Sequence, residues 1–373
     1  MKINNLYLEK PPKKMNKLKL FFIFIIYSIY FSNVIASSPP SIQISTIPVN
    51  FVPSENFSPG LDIAYGFSIN KFKGKLFLFV HEVNNSNQIY IFNEDRNMFD
   101  LLVDLGVHVD PDFQLRSTFN DNDERLFLVF DTDTKSGKIL FTDDLKKFNT
   151  FSSNEHGFRS ITKYKNTYIA GTADNSSAIF LSDDGFNWKK RKIDTLNSAI
   201  VQINGFMIFE SYLYIVANSG VFKTKDLKKA QLVFTNPEHT QIYAFNDSAN
   251  GLLIATGWAG NKENPENTIS TLFYSRDGKE FNKIANIQET PMVYTIKPMC
   301  NKLGEPVDLL WGGYRGNGVH LFNFEKGISK KILNRKRVSI YSSIEYREKF
   351  YFSSYPLDQV ISVGFVNSRE NCK

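Results

Sequence analysis

The sequence is poor in cysteine, has no helical hydrophobic periodicity after residue 41, and carries almost no net charge once its first 36 residues are set aside. Cys300 and Cys372 are its only two cysteines in 373 residues, too few to serve as a disulfide scaffold. The five histidines, His81, His108, His156, His239 and His320, are scattered without ligand spacing, so a zinc site has no support. The acidic clusters His108-Val-Asp110-Pro-Asp112 and Asp131-Thr-Asp133 lack the further ligands of a calcium loop. There is no phosphate-cradling glycine loop, no Ser-His-Asp spacing and no stripe of interleaved basic and aromatic residues. No metal, no cofactor and no nucleic-acid partner are expected.

The formal charge of +6 invites an anionic partner, but its distribution removes that reading. Residues 1–36 hold six lysines, Lys2, Lys10, Lys13, Lys14, Lys17 and Lys19, against Glu9 alone. The rest of the chain is therefore left at about +1. The basic end precedes the apolar run LFFIFIIYSIYFSNVIA, which closes on Val34-Ile35-Ala36. This order predicts a secretory signal peptide over 1–36, with Met15 opening a more compact version of it. The alternative is an uncleaved signal anchor, for which the run is short and interrupted by polar residues. The remainder, 37–373, is expected to be one secreted domain, extracellular or lumenal, monomeric, with no membrane contact after cleavage. The sequons at Asn56, Asn84, Asn175 and Asn246 fit a glycoprotein.

What the chain does have is a repeat. Short apolar runs return as LFLFV from Leu76, LFLVF from Leu126, TYIAG from Thr167, LYIVA from Leu213, LLIAT from Leu252, DLLWG from Asp308 and KFYFS from Lys349. They are spaced by roughly 40 to 55 residues, the length of a propeller blade. Each unit divides into four runs of β-branched and aromatic residues bounded by Gly, Asn, Ser or Lys-Asp, the signature of an antiparallel meander. The prediction is all-β: a seven-bladed β-propeller of four-stranded antiparallel blades over about 60–366. The seventh unit ends one strand short, and SIQISTIPVNFV, residues 41–52, supplies the missing strand and closes the ring. In that topology Cys300 and Cys372 fall on the same face of neighbouring blades, which predicts a disulfide; two unpaired thiols are the alternative.

After the third strand of each unit a small pattern recurs: a hydroxyl, any residue, Asp, Gly or Leu, two residues, an aromatic. It stands as Thr142-Asp-Asp144-Leu-Lys-Lys-Phe148, Ser182-Asp-Asp184-Gly185-Phe-Asn-Trp188, Thr224-Lys-Asp226-Leu-Lys-Lys-Ala230 and Ser275-Arg-Asp277-Gly278-Lys-Glu-Phe281. The hydroxyl and carboxylate can accept backbone N–H groups inside a tight turn, and Gly supplies positive φ. These residues resemble the Asp-box, or BNR repeat, of sialidase-like β-propellers. The resemblance implies the propeller fold and a structural role for the box, and no activity, since such boxes occur in enzymes and in binding modules.

Function must then sit where the repeat is broken. The long loop GWAGNKENPENTIS exposes Trp258, and the next unit offers Tyr314 and Arg315 between glycines. An aromatic beside a guanidinium suits a sugar ring or an anionic group. Arg116, Arg159 and Arg337 begin inner strands, and His239 leads into another; converging arginines suit a carboxylate. The sialidase comparison goes no further: the family's Phe-Arg-Ile/Leu-Pro signature is met only by Phe158-Arg159-Ser160-Ile161, without proline, and no Tyr–Glu nucleophile pair can be assigned. The reading is a binding or interaction module for a protein or glycan, with Trp258, Tyr314, Arg315, Arg159, Arg116 and His239 as ligand-binding candidates and no catalytic residue assigned. The alternative is a carbohydrate-active hydrolase or lyase of sialidase-like type acting in the central channel.

Overall fold

In the computed structural model the recurrent apolar runs are the second strands of seven sheets. The structure describes residues 41–50, 64–82, 87–132 except 107 and 111, 136–193 except 175, 202–236, 240–258 except 249, 270–301 except 288, 289 and 291, 303–314, 318–334, 338–355, 359–366 and 370–372. The signal segment and the sequons at Asn56, Asn84 and Asn175 lie outside these residues. Asn246 lies within them, and its Oδ1 accepts the Ser248 backbone N–H at 2.9 Å. Among the described residues no helix is long and apolar enough to cross a membrane.

An N-terminal strand, β1 (Ser41–Pro48), precedes the blades. Blade one is β2 (Ala64–Phe72), β3 (Lys75–Glu82), β4 (Asn87–Asn93) and β5 (Met98–Asp104). Blade two is β6 (Gln114–Asp121), β7 (Arg125–Asp131), β8 (Gly137–Thr142) and β9 (Asn149–Ser153). Blade three is β10 (Phe158–Tyr164), β11 (Thr167–Thr172), β12 (Ala178–Ser182) and β13 (Lys189–Lys192). Blade four is β14 (Ile203–Phe209), β15 (Tyr212–Ala217), β16 (Gly220–Thr224) and β17 (Gln231–Thr235). Blade five is β18 (Thr240–Asn246), β19 (Leu252–Trp258), β20 (Ser270–Ser275) and β21 (Asn282–Ile287). Blade six is β22 (Met292–Cys300), β23 (Pro306–Tyr314), β24 (Gly318–Asn323) and β25 (Ile328–Asn334). Blade seven is β26 (Ser339–Tyr346), β27 (Lys349–Tyr355) and β28 (Gln359–Val366), and a two-residue strand, β29 (Glu370–Asn371), ends the chain.

Each blade is an antiparallel meander, and the first strand of every blade touches the first strand of the next around a full circle. The second strands are covered on both faces by neighbouring blades, so they read as unbroken apolar runs rather than alternating ones. Leu126, Phe127, Leu128, Val129 and Phe130 are all fully buried. The core is accordingly a ring of interblade clusters, such as the one joining Leu115, Leu126 and Leu128 of blade two to Phe77, Phe79 and Ile89 of blade one.

The seventh sheet runs β1-β28-β27-β26, so the N-terminal strand is its outer strand, as the sequence predicts. Alternation along β1 explains how it fits. Ile42 and Ile44 pack into the cluster shared by blades six and seven, and Ile47 and Val49 into the one shared by blades seven and one. The Asn50 N–H then donates to the Phe99 carbonyl of blade one at 2.8 Å. The other terminus takes a course that the sequence did not suggest. Met299 and Cys300 of β22 pair with Asn371 and Glu370 of β29, which gives blade six a fifth strand beyond its innermost one. Cys300, the last residue of β22, is disulfide-bonded to Cys372, with a Cα–Cα distance of 4.9 Å.

The turns between third and fourth strands share one construction. Asp184 Oδ1 accepts the N–H groups of Phe186 and Asn187, both at 2.8 Å, while the Ser182 hydroxyl accepts that of Gly185 at 2.8 Å. Asp144, Asp226 and Asp277 each accept the corresponding pair of N–H groups. The residue after the Asp is left-handed in all four, at Leu145, Gly185, Leu227 and Gly278. Two turns therefore hold a leucine where glycine is easier, and the apolar contacts of Leu145 and Leu227 with the cores offset that strain. Trp188 folds back so that its Nε1 donates to the Gly185 carbonyl at 2.9 Å.

Backbone N–H donors hold all four turn carboxyls below the usual carboxylate range. A depressed carboxylate contributes stability that is complete above the unfolded value near 4 and is lost as pH falls through the folded value. D184N is therefore expected to lose less stability than the wild type on acidification, measured by thermal unfolding at several pH values; an identical acid slope would contradict this. C372S, with the loop opened across blade seven, is expected to lower the unfolding free energy by about 2–4 kcal/mol in non-reducing denaturant titrations.

Candidate functional site

All seven innermost strands carry a register break at the same place. The pairing with the second strand skips one residue between Gly66 and Ser68, Leu115 and Ser117, Phe158 and Ser160, Ile203 and Gly205, Ile242 and Ala244, Val293 and Thr295, and Ile340 and Ser342. A β-bulge leaves the extra residue unpaired and re-aims its side chain. The seven residues so released are Phe67, Arg116, Arg159, Asn204, Tyr243, Tyr294 and Tyr341, and every one lines a single cavity of about 760 Å³ on the propeller axis.

The residue after each bulge is small: Ser68, Ser117, Ser160, Gly205, Ala244, Thr295 and Ser342. Neighbouring inner strands converge there, and several are tied by side chains. The hydroxyls of Ser68 and Thr118 lie 2.8 Å apart, Ser160 donates to the Ile203 carbonyl at 3.1 Å, and Thr295 bonds Ser343. A Cβ on Gly205 would stand 1.7 Å from the Phe245 ring. Small residues at this level let the strands close up while the bulged side chains point inward.

The rim of the cavity divides by chemistry. One arc is aromatic: Phe67 stacks on Tyr341 at 5.5 Å, Tyr341 on Tyr294 at 5.1 Å, and Tyr294 meets Tyr243 and Tyr314 edge-on at 5.8 and 6.5 Å. Burial pushes the Tyr294 hydroxyl up, so it stays protonated and can donate. The opposite arc holds Arg116, Arg159 and Asn204. Arg116 Nε donates to Asp131 Oδ1 at 2.6 Å, while Arg159 Nε stands 3.6 Å from Oδ2 and has no hydrogen-bond partner. Asp131 is fully buried at the end of β7. One carboxylate thus lies against two guanidinium groups. The side chains of Arg116 and Arg159 remain 15% and 17% exposed, enough to meet a ligand.

His81, on the same wall, bonds Asn87 Oδ1 at 3.1 Å. Burial lowers its pKa to about 4, and the nearby Arg116 charge acts in the same direction. It is neutral near pH 7. At the other end of the inner strands, burial lowers the Lys297 ammonium and raises the carboxyls of Asp247 and Glu345.

Of the residues singled out in the sequence, the structure brings Arg116 and Arg159 together in the cavity and sets Tyr314 against Tyr294. Tyr314 pairs with Met292 at the start of β22, and Trp258 pairs with Thr240 at the start of β18. Both strand ends therefore lie at the level of the cavity mouth; the Trp258 side chain, Arg315, Arg337 and His239 lie outside the described residues. Within the acidic clusters Asp110 pairs with Lys138 at 2.7 Å and Asp131 with Arg116, and Asp133 lies outside the described residues. Among the described residues no group of three potential metal ligands occurs. Sequence reasoning missed Phe67, Asn204, Tyr243, Tyr294 and Tyr341. The signal was their common place, about ten residues before the second residue of most apolar runs.

No family model matches the chain, and no curated protein matches it by sequence. Solved structures match its fold. Virginiamycin B lyase from Staphylococcus aureus is similar with a TM-score of 0.64 at 11% identity, over 88% of this chain and 100% of that one. A catalytically inactive form of the same lyase with quinupristin gives 0.63 at 10% identity, over 87% and 100%. The WD40 β-propeller domain of Doa1 gives 0.59 at 12% identity, over 89% and 99%. At these identities the likeness concerns the fold alone.

Because His81 has a lower pKa folded than unfolded, its contribution is complete above about pH 6.5 and is lost as pH falls toward 4. The corresponding loss is on the order of 3 kcal/mol. H81N is expected to flatten the dependence of unfolding free energy on pH between about 6.5 and 5; an unaltered slope would show that His81 does not cause it.

Proposed function

We propose that this chain is a secreted propeller that binds a ligand, a glycan or a protein segment, in the mouth of its central channel. The observation that carries the reading is the ring of seven bulged side chains, an aromatic arc facing Arg116, Arg159 and Asn204 across one cavity. Such a site suits a ring or flat apolar group stacked on tyrosines with an anionic substituent on the arginines. Tyr314 extends the same mouth through its edge-on contact with Tyr294, and Trp258, Arg315 and His239 join it as candidates on their sequence positions alone.

Binding is favoured over hydrolysis by what lines the cavity. Its described lining includes no carboxylate, whereas glycoside hydrolysis calls for two acids about 5 to 10 Å apart. Asp131, behind the rim, is committed to its arginines. The Asp-box resemblance and the fold shared with a lyase and a WD40 domain are compatible with either class.

The test is a glycan array with the secreted protein, followed by titration of the best ligands. Acidic glycans are expected to bind in preference to neutral ones. R159Q is expected to weaken binding about 10-fold or more, the worth of one charged hydrogen bond, and W258A/R315A to weaken it while leaving the melting temperature unchanged. Arg159 is the better probe than Arg116, whose loss would strand buried Asp131. Binding unaffected by R159Q, or turnover of a bound glycan by the wild type, would overturn the reading.

A further inference from the structure

A second feature, independent of the channel, is the distribution of cations on the outer edges of blades three to five. A cleft of about 660 Å³ between the rim of blade three and the turns of blade four is lined by Lys165, Lys189, Lys190, Arg191 and Lys225. It adjoins a second cleft, of about 860 Å³, which shares Lys225 and adds Lys223, Lys229 and Lys279. The acids lining the two clefts are Asp183, Asp184 and Asp226. All three are engaged: Asp184 and Asp226 by turn N–H groups, Asp183 by the Thr167 hydroxyl at 3.0 Å.

With the Lys190 ammonium turned to His156 Nε2, seven cations face three occupied carboxylates, on a chain whose residues beyond 36 sum to about +1. The rest of that surface is net negative, so the positive charge is concentrated rather than general. Protection of an edge strand accounts for part of it: all four residues of β13, Lys-Lys-Arg-Lys, are exposed on the outermost strand of blade three, and lysine there discourages pairing with another sheet. That reason does not extend to Lys165, Lys223, Lys225 and Lys279, which stand off that edge.

We infer that the two joined clefts bind a linear sulfated or carboxylated polysaccharide. Lys189 and Arg191 lie on one side of β13, two residues and about 7 Å apart, and Lys225 bridges one cleft to the next, so the cations form a track rather than a point. A track takes an extended polyanion. A single-stranded nucleic acid would bring bases in need of stacking partners, and the clefts offer none; a duplex, held through its phosphates alone, is an outcome of the test below. Of their two aromatics, Tyr164 is buried with its hydroxyl donating to the Ser211 carbonyl at 2.6 Å, and the face of Tyr212 is covered by the Lys223 ammonium at 4.0 Å. Charge without stacking selects a polyanion whose units carry sulfate or carboxylate on saturated rings.

The experiment uses the secreted full chain and heparin, a linear sulfated polysaccharide, in surface binding at about 0.15 M salt. K189Q/R191Q/K225Q is expected to weaken binding at least about tenfold and to lower its salt dependence, because fewer counterions are released. K75Q/K326Q/K330Q removes the same charge from exposed positions elsewhere and is expected to leave binding within about twofold. Three results would overturn the inference: no heparin binding by the wild type, equal weakening by both triple variants, or equally tight binding of a DNA duplex of matched charge. None of these residues lines the channel, so the outcome is separate from that of the channel site.

Discussion

Everything in this fold depends on closing a circle of sheets whose only covalent continuity is the chain itself. A blade buries both faces of its middle strands only while it has a neighbour on each side, and an open ring would leave blades one and seven half exposed. β1 resolves this by joining the last sheet while its two side-chain faces enter two different interblade clusters. One strand therefore completes hydrogen bonding in blade seven and apolar burial on both sides of it. The C-terminal tail adds a second tie, through β29 and the Cys300–Cys372 bond to blade six.

Much of this was legible because it is written in local chemistry. Blade count follows from seven apolar runs, which are apolar on both faces because both faces are covered. The missing outer strand could be assigned because Ile42, Ile44 and Ile47 stand isolated before the first unit with strand-like alternation. The cysteine pair was legible through topology rather than spacing. What could not be read was β29, two residues long and set by a partner strand rather than by propensity.

The channel was half legible for a different reason. Arg116 and Arg159 stood out as charged residues opening inner strands, and charge on a strand near the core draws attention. Phe67, Tyr243, Tyr294 and Tyr341 looked like the other aromatics of an aromatic-rich sequence. Their distinction lies in register, and register belongs to a pair of strands. Only when all seven inner strands are laid side by side does the skipped residue fall in one column, followed by a column of small ones.

That column has a meaning for how such a protein can change. The backbone detour is supplied seven times over by the sheets, while the seven side chains it presents come from seven separate blades and share no strand. Replacing one alters a single sector of the rim and leaves the hydrogen bonding of the other six untouched. The scaffold behaves as a dial with seven interchangeable letters, here Phe, Arg, Arg, Asn, Tyr, Tyr and Tyr, on which a new specificity can be spelled without a new fold.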